Sequence, residues 1–289
     1  MIRKGEVTLI KIGVVILNYI VYQTTIETVT SFDKQDKNGF EVVYVIVDND
    51  SPNESFEKLQ EEYKGRDDVI ITCTKKNLGF ANGNNHGCRK LFERMQPDFV
   101  IVSNDDILLP QQGLYQWIVD CYKKYHFAVL GPDIYSLNGK FHQSPGENFS
   151  QDKKVCKKAL WNIQKDYYIS IIKKALRRTN YTGYTTWEND LYEDVHENKT
   201  LHGSFQIFSA SFFKEYSEPY DPGTFLYMEE NILKLRCDKA GLPMVYEPSY
   251  QIHHLQAVST NAANINQSDK QIARYKHLMH SMRVYIQHL

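Results

Sequence analysis

The sequence contains no long hydrophobic run, no paired-cysteine motif and no excess of charge of one sign. No segment approaches about 18 uninterrupted apolar residues, so we expect no transmembrane helix. The five cysteines are odd in number and include no CxxC pair, which argues against a disulfide or zinc framework and favours reduced thiols in a cytoplasmic protein. Lys and Arg number 34 against 35 Asp and Glu, which excludes a surface built throughout for nucleic acid.

The N-terminal residues predict no targeting segment. Residues 1–6 lead into a β-like stretch without a small-residue cleavage site, so we expect no signal peptide. The 289 residues are 42% hydrophobic and 24% charged, close to the globular average and sufficient to bury a sizeable core. This length fits one large domain or two small ones.

Strand and helix patterns alternate along the first half of the chain. Short β-branched apolar runs predict buried strands at residues 9–17, 42–47, 69–73 and 99–102. Helical patterns separate them at residues 22–32, 53–63 and 82–95. This alternation predicts an α/β fold with a mostly parallel central sheet flanked by helices.

The second half is less regular. From about Gly131 the alternation fails, and residues 132–150 predict a loop. The remaining predicted elements are a basic helix at 153–178, a strand at 203–209, a helix at 228–240, short strands at 244–246 and 250–252, and a helix at 268–289.

Polar residues follow all four strands of the first half. They are Asn18-Tyr19, Asp48-Asn49-Asp50, the segment 76–79 and the segment 103–106. Ligands of parallel α/β sheets bind beyond the carboxyl ends of the strands, so these segments predict a binding site at one sheet edge.

The segment Asn104-Asp105-Asp106 follows an apolar strand directly. Adjacent carboxylates at a sheet edge are costly unless they are neutralised, and hard oxygen ligands suit Mg²⁺ or Mn²⁺ bridging to a diphosphate. The alternative is a solvated turn or a helix cap.

Two further pairs carry possible chemistry. Glu229 and Glu230 begin a predicted helix, where they either cap the helix dipole or supply a general base for a hydroxyl. His253 and His254 end a short strand and either complete a metal site or serve a structural role.

The order of these motifs resembles a known family. The runs are VVILNY (14–19), VDNDS (47–51), NLGFANGNNHG (77–87), SNDD (103–106), GSFQIFS (203–209), FLYMEE (225–230) and YEPSYQIHH (246–254). Together they resemble family 2 glycosyltransferases, and among these the bacterial rhamnosyltransferase-like enzymes of cell-surface polysaccharide (O-antigen or capsule) synthesis.

The resemblance implies a GT-A fold, which is a Rossmann-like sheet with a C-terminal acceptor-binding region. It also implies Mn²⁺ or Mg²⁺ and an inverting displacement from a UDP- or dTDP-sugar donor to a hydroxyl of a glycan or lipid-linked oligosaccharide acceptor. On this basis residues 1–131 form the nucleotide-sugar-binding half, 132–200 a variable acceptor or membrane-proximal insertion, and 201–289 the acceptor half of a single catalytic domain.

The resemblance also assigns roles to residues. Asp106 corresponds to the main metal ligand and Asp105 to a second, while Asn104 replaces the first acid of the usual DxD motif. His254 or His253 corresponds to an added metal-site histidine, and the spacing to residues 259–260 favours His254. The residues assigned to the nucleotide-sugar are Asn18, Tyr19, Asp48 (which corresponds to the acid that binds uracil or thymine), Asn77, Gly79, Asn82, Asn104 and Asp105.

The family's acidic pair is usually Glu-Asp, whereas this chain has Glu229-Glu230. By position Glu230 corresponds to the catalytic base, but its longer side chain leaves Glu229 as a second candidate. A degenerate domain that binds nucleotide-sugar or glycan without turnover is an alternative. A sugar-phosphate nucleotidyltransferase is another, although the first strand ends in Asn18-Tyr19 without that family's glycine-rich loop.

Residues 153–178 carry nine Lys or Arg against one acid, Asp166. Aromatic and aliphatic residues lie among them, a pattern typical of a helix on an anionic membrane surface. In that case the protein is peripheral on the inner face of the plasma membrane. The alternative is an ordinary amphipathic helix with a solvated basic face, and the absence of a recognised motif argues against nucleic acid as a partner.

Overall fold

The computed structural model describes residues 9–136, 141–176, 190–255 and 266–289. Residues 1–6, 177–178 and 259–260, on which expectations rested, lie outside these ranges. The strands are β1 (Ile10–Asn18), β2 (Phe40–Asp48), β3 (Val69–Cys73), β4 (Phe99–Asn104), β5 (Ile107–Leu108), β6 (Val129–Ser136), β7 (His196–Glu197), β8 (Phe205–Ser209) and β9 (Met244–His254). The helices are α1 (Tyr22–Asp33), α2 (Ser55–Glu62), α3 (Gly79–Arg94), α4 (Leu114–Tyr125), α5 (Lys153–Ala175), α6 (Ala210–Glu215), α7 (Glu229–Ala240) and α8 (Gln267–His288).

The strands of the described residues form one nine-stranded sheet in the order β3-β2-β1-β4-β8-β6-β9-β5, with β7 paired to β9. The pairs among β3, β2, β1 and β4 are all parallel. Strand β8 is antiparallel to both β4 and β6, and β6 is parallel to β9. The predicted α/β fold with a mostly parallel sheet flanked by helices is confirmed.

The central strands are buried on both faces, as their apolar runs predict. Along β2, Tyr44 and Ile46 face a core shared with α1, α2 and α4, while Val45 and Val47 face a core shared with α3, α6 and α7. Because successive side chains of a strand point to opposite faces, a continuous β-branched run is the pattern that such a strand needs.

Helix α3 lies very close to the sheet. A Cβ atom added at Gly83 would lie 2.6 Å from Leu17, and one at Gly87 would lie 2.4 Å from Val15. Glycines four residues apart share one helix face, so together they let the helix backbone approach β1 and β2.

The predicted loop over 132–150 is wrong at its start, because β6 continues to Ser136. Pro132 favoured the prediction of a loop, because proline is disfavoured in strand interiors. Here the β6–β9 register shifts between Gly131 and Asp133, and the irregularity accommodates the proline. On the partner strand, the two short predicted strands are a single element, β9. Helix α4 was not predicted.

A third apolar cluster joins α5, α7 and α8. Its buried members include Cys156, Met228, Ile232, Met282 and Tyr285. None of the helices in the described part of the chain combines the length and apolar character needed to cross a membrane.

Candidate functional site

The carboxyl ends of β1 and β2 are joined by buried polar side chains. The Asn18 side-chain amide donates a hydrogen bond to Asp48 Oδ2 at 2.7 Å, and Asn18 Oδ1 accepts one from Thr25 at 2.8 Å. The backbone N–H of Ser51 donates to Asp48 Oδ1 at 2.9 Å. Both oxygens of Asp48 therefore have partners within the protein, and the carboxylate orders the loop that follows β2.

The predicted residues after β3 contact a segment from much later in the chain. Gly79 has a φ of +75°, and a Cβ atom there would lie 2.2 Å from the carbonyl oxygen of Phe225. Asn77 Oδ1 accepts a hydrogen bond from the Gly79 backbone N–H at 2.9 Å. The Asn82 side chain donates to the Pro222 carbonyl at 2.9 Å. Gly79 and Asn82 thus hold the loop before α7 against the sheet edge, while Asn77 orders the start of α3.

The end of β4 meets the end of β9. Strand β5 pairs with β9 so that Ile107 lies opposite His254. His254 Nε2 lies 3.2 Å from Asp106 Oδ1 and 3.4 Å from Asn104 Nδ2, and its Nδ1 lies 2.8 Å from Gln143 Oε1. Asp105 Oδ2 lies 3.4 Å from the backbone N–H of Tyr19, which connects β4 to the end of β1.

The two candidate histidines lie on opposite sides of β9. His253 packs its ring edge-on against Tyr135 at a centroid distance of 4.1 Å and lines a cavity with Lys34 and Leu109. The structure therefore brings His254, and not His253, together with Asp106.

Asp106 and His254 fit a divalent cation as a partial ligand set. Asp106 Oδ1 is buried and has no hydrogen-bond donor aligned with it. Among the described residues there is no cluster of three His, Cys, Asp or Glu side chains around one point. One carboxylate and one imidazole nevertheless suffice where a substrate diphosphate supplies further oxygen ligands.

Two backbone contacts link this edge to the acidic pair at the start of α7. The Asn104 backbone N–H donates to the Ser204 carbonyl at 2.8 Å, next to the β4–β8 pairing. The neighbouring Gly203 N–H donates to Glu230 Oε1 at 3.2 Å. A Cβ atom at residue 203 would lie 2.7 Å from that same oxygen, so the close approach requires glycine.

Glu229 is buried and Glu230 is half-buried, and the two carboxyl groups repel each other. Burial raises the pKa of Glu229, and the adjacent Glu230 raises it further. Burial also raises the pKa of Glu230, while the Gly203 N–H opposes that rise. Glu229 Oε1 has no hydrogen-bond partner, although a hydrogen bond with the Thr224 side chain opposes the rise in the pKa of Glu229. Glu230 Oε1 accepts a hydrogen bond from the Gly203 N–H. At Glu229 the burial and the repulsion from Glu230 outweigh these hydrogen bonds, so the proton shared by the pair favours Glu229 and the charge favours Glu230.

Sequence reasoning missed His202 and Gln143. His202 Nδ1 lies 2.9 Å from Ser204 Oγ, and its ring centroid lies 5.6 Å from that of His254. Burial and the neighbouring His254 lower the pKa of His202 to about 3, so the ring is neutral. Its position directly before the GSFQIFS run was an available signal, whereas nothing in the sequence connects Gln143 with His254.

The family model described as "Glycosyltransferase like family 2" matches residues 11–274 of the chain. No curated protein shows significant sequence similarity to this chain.

Solved structures share the fold at low sequence identity. A fragment of Staphylococcus aureus TarS (residues 1–349) is 13% identical, with a TM-score of 0.54 over 92% of this chain and 71% of that one. GalNAc-T7, solved with UDP, GalNAc and Mn²⁺, is 19% identical, with a TM-score of 0.59 over 85% of this chain and 43% of that one. The TarS fragment has also been solved with UDP-GlcNAc, and that structure has a TM-score of 0.51 and covers 92% of this chain and 72% of that one.

Proposed function

The chain belongs to glycosyltransferase-like family 2, and on that premise we propose that it moves a sugar from a UDP- or dTDP-sugar to a hydroxyl of a glycan acceptor, with inversion at the anomeric carbon. The observation that carries the proposal is the continuous arrangement at one sheet edge, where Asp106 and His254 are linked through β4 and Gly203 to Glu230. A diphosphate site and a buried carboxylate are the two parts that a single displacement requires.

In this proposal Asp106 and His254 would hold Mn²⁺ or Mg²⁺ together with the donor diphosphate, and Asp105 would be the second carboxylate. The bound cation supplies charge stabilisation to the leaving diphosphate, an effect worth several kcal/mol. Solved relatives of the same fold support this assignment, since GalNAc-T7 was crystallised with UDP and Mn²⁺.

Glu230 is the proposed base. A general base must be ionised before it can accept a proton, and its pKa works best near the operating pH. Glu230 meets the first condition better than Glu229, because the Gly203 N–H stabilises its charged form. Burial raises the pKa of Glu230 above the ordinary glutamate range, in the direction that the second condition requires. Glu229 then stays neutral and prevents a second buried charge beside it.

The donor base and the acceptor are further parts of the proposal. Structures of TarS with UDP and UDP-GlcNAc support a uridine-type donor. The resemblance to rhamnosyltransferase-like enzymes supports a dTDP-sugar equally, and it supports a glycan or lipid-linked acceptor in surface polysaccharide synthesis.

A thermal-shift panel of UDP, dTDP, GDP and CDP, each with and without Mn²⁺, tests the donor site. A ligand at 100 times its Kd stabilises the folded protein by about 2.7 kcal/mol. For a chain of this size each kcal/mol raises the melting temperature by roughly 2–4 °C. We expect a shift of several degrees with UDP or dTDP that requires Mn²⁺.

The variant Asp106→Asn is the matched control for the panel, since it keeps the shape of the side chain and removes its charge. It should lose the Mn²⁺-dependent shift. If no nucleotide stabilises the wild-type protein, the assignment of the donor site is wrong.

A further inference from the structure

Helix α5 carries apolar side chains on two opposite faces. On the inner face, Cys156, Leu160 and Ile163 pack in the third cluster against α7 and α8. At its C-terminal half, Lys174 forms an ion pair with Asp269 of α8. This face is sufficient to hold the helix on the domain.

The outer face is a stripe whose members recur every three or four residues. It consists of Lys154, Lys158, Trp161, Lys165, Tyr168, Ile172 and Leu176. Side chains at this spacing lie along one side of an α-helix. Trp161 is 61% exposed, Tyr168 63%, Ile172 58% and Leu176 60%, so nothing in the described part of the chain covers their greater part.

The outer stripe combines positive charge with large apolar groups. Its lysines lie in the N-terminal half and its aliphatic residues in the C-terminal half. Lys165 Nζ lies 5.9 Å from the centre of the Trp161 ring, so a lysine and a large apolar side chain are in contact near the middle of the helix. Asp166, the one acid of α5, is not a member of the stripe.

We propose that the outer stripe of α5 docks on a lipid bilayer that carries anionic headgroups. Tryptophan and tyrosine favour the boundary between headgroups and acyl chains, and lysine side chains can extend from that depth to the phosphates. Ile172 and Leu176 supply apolar area to the acyl region. A second copy of the chain fits the surface less well, because the lysines of two stripes would repel each other unless the helices aligned only their C-terminal halves.

Docking of α5 would also bring the bilayer towards the start of α7, where the proposed base lies. This consequence rests on the proposed function. Met228 belongs to the cluster that holds α5, and it directly precedes Glu229 and Glu230. The helix on the membrane therefore shares an apolar cluster with the element that begins with the proposed base. This arrangement suits an acceptor that is itself anchored in the lipid.

The test is co-sedimentation of the full chain with vesicles of phosphatidylcholine alone and of phosphatidylcholine mixed with phosphatidylglycerol. Each lysine near an anionic surface adds about a fivefold factor to partitioning, so Lys158→Glu with Lys165→Glu should weaken binding by at least about 30-fold. The double variant Lys123→Glu with Lys124→Glu on α4 makes the same change of charge on exposed lysines of another helix and should leave binding within about twofold.

The apolar part of the stripe has its own variant. Trp161→Ser with Ile172→Ser leaves the charge unchanged and should weaken binding by at least about tenfold. Equal binding to neutral and anionic vesicles would overturn the proposal, as would no binding at all or an equal loss in the α4 control. A dimer that Trp161→Ser with Ile172→Ser converts to a monomer would identify a second copy as the occupant instead. Nucleotide-induced stabilisation, measured on every variant, keeps this outcome separate from failure of the transferase proposal.

Discussion

The two glutamates that begin α7 are neighbours in the chain but differ in their surroundings. Glu230 accepts a hydrogen bond from the Gly203 backbone, whereas Glu229 Oε1 is buried without a donor. The family resemblance favours Glu230 by position but leaves Glu229 as a candidate, because both follow the same aromatic run and both lie in the first turn of a helix. The contact from Gly203 separates them.

Replacing Glu230 by Gln should lower turnover by at least about 100-fold, since it removes the base and keeps the shape of the side chain. Glu229→Gln should lower turnover by less than about tenfold, because glutamine mimics a neutral carboxyl. The measurement is the rate of nucleoside diphosphate release from the donor that stabilises the protein, with nucleotide binding checked for both variants. A larger loss in Glu229→Gln would move the base to Glu229.

Glu229 should also make stability depend on pH. Its pKa is raised in the folded protein, so folding favours the protonated form, and stability falls as the pH rises from the ordinary glutamate range through the raised value. Glu229→Gln should therefore be more stable than wild type at alkaline pH, on the order of 2 kcal/mol, and should show a flatter profile. Melting temperatures across this pH range measure the effect. The exposed Glu61→Gln is the control and should leave the profile unchanged.

Gly203→Ala tests the contact that orients Glu230. The added Cβ would lie 2.7 Å from Glu230 Oε1, and the end of a flexible side chain can move away from it. We expect stability to change little and turnover to fall by roughly 10- to 100-fold, because small displacements of a reacting group are costly. A variant that melts many degrees lower would show that Gly203 matters for folding rather than for the position of the Glu230 side chain.

At the scale of elements, α3 shows how a sequence motif can serve packing. Its glycines lie within the run that resembles a nucleotide-binding motif, and the structure places Gly83 and Gly87 against Leu17 and Val15 of β1. In the same run, the Asn85 side chain donates to the Tyr220 carbonyl at 2.8 Å and anchors the loop before α7. These contacts could not be read from the sequence, because they depend on which strand lies under the helix.

Gly87→Ala should destabilise the protein by about 1–3 kcal/mol through overpacking against Val15 and Val47. Urea denaturation measures the loss. Combining Gly87→Ala with Val15→Ala, which removes the nearest methyl group, should recover part of it relative to the sum of the single changes. Strict additivity would show that the clash with Val15 is not the cause.

Secondary structure was predicted best where strands are buried on both faces. The β-branched runs of β1, β2, β3 and β4 have no competing interpretation, and their predicted positions agree with the structure within about two residues. Strand β6 was missed because a proline lies within it, and its local sequence carries no sign of the irregular pairing with β9 that tolerates the proline.

At the scale of the whole molecule, the two halves implied by the family resemblance share one core. Strand β8 lies between β4 and β6, and its Phe205 and Ile207 are buried with Val14 and Ile101 of the first half. Strands from both predicted halves therefore belong to one sheet and share one core.

This shared core predicts a single cooperative unfolding transition. Urea curves followed by far-ultraviolet circular dichroism and by tryptophan fluorescence should coincide, because β4 cannot keep its apolar contacts without β8. Two resolved transitions would show that the halves are stable alone. A fragment of residues 1–131 should not fold, since it leaves the edge of β4 unpaired.

The amino-acid sequence by itself determined the class of the fold, the family and the residue types at the sheet edge. These follow from local patterns, since a strand buried on both faces requires a β-branched run and its carboxyl end carries the polar residues. The matching family model over residues 11–274 confirms the membership of glycosyltransferase family 2 that seven short motifs predicted.

Only the tertiary structure decided which of those residues meet. It brought His254, which the spacing had only favoured, to Asp106, placed the Gly203 N–H against Glu230, and placed the apolar groups of α5 on two opposite faces. Each outcome depends on contacts between segments far apart in the chain. Strand register and helix packing set these contacts, and local residue patterns carry no record of them.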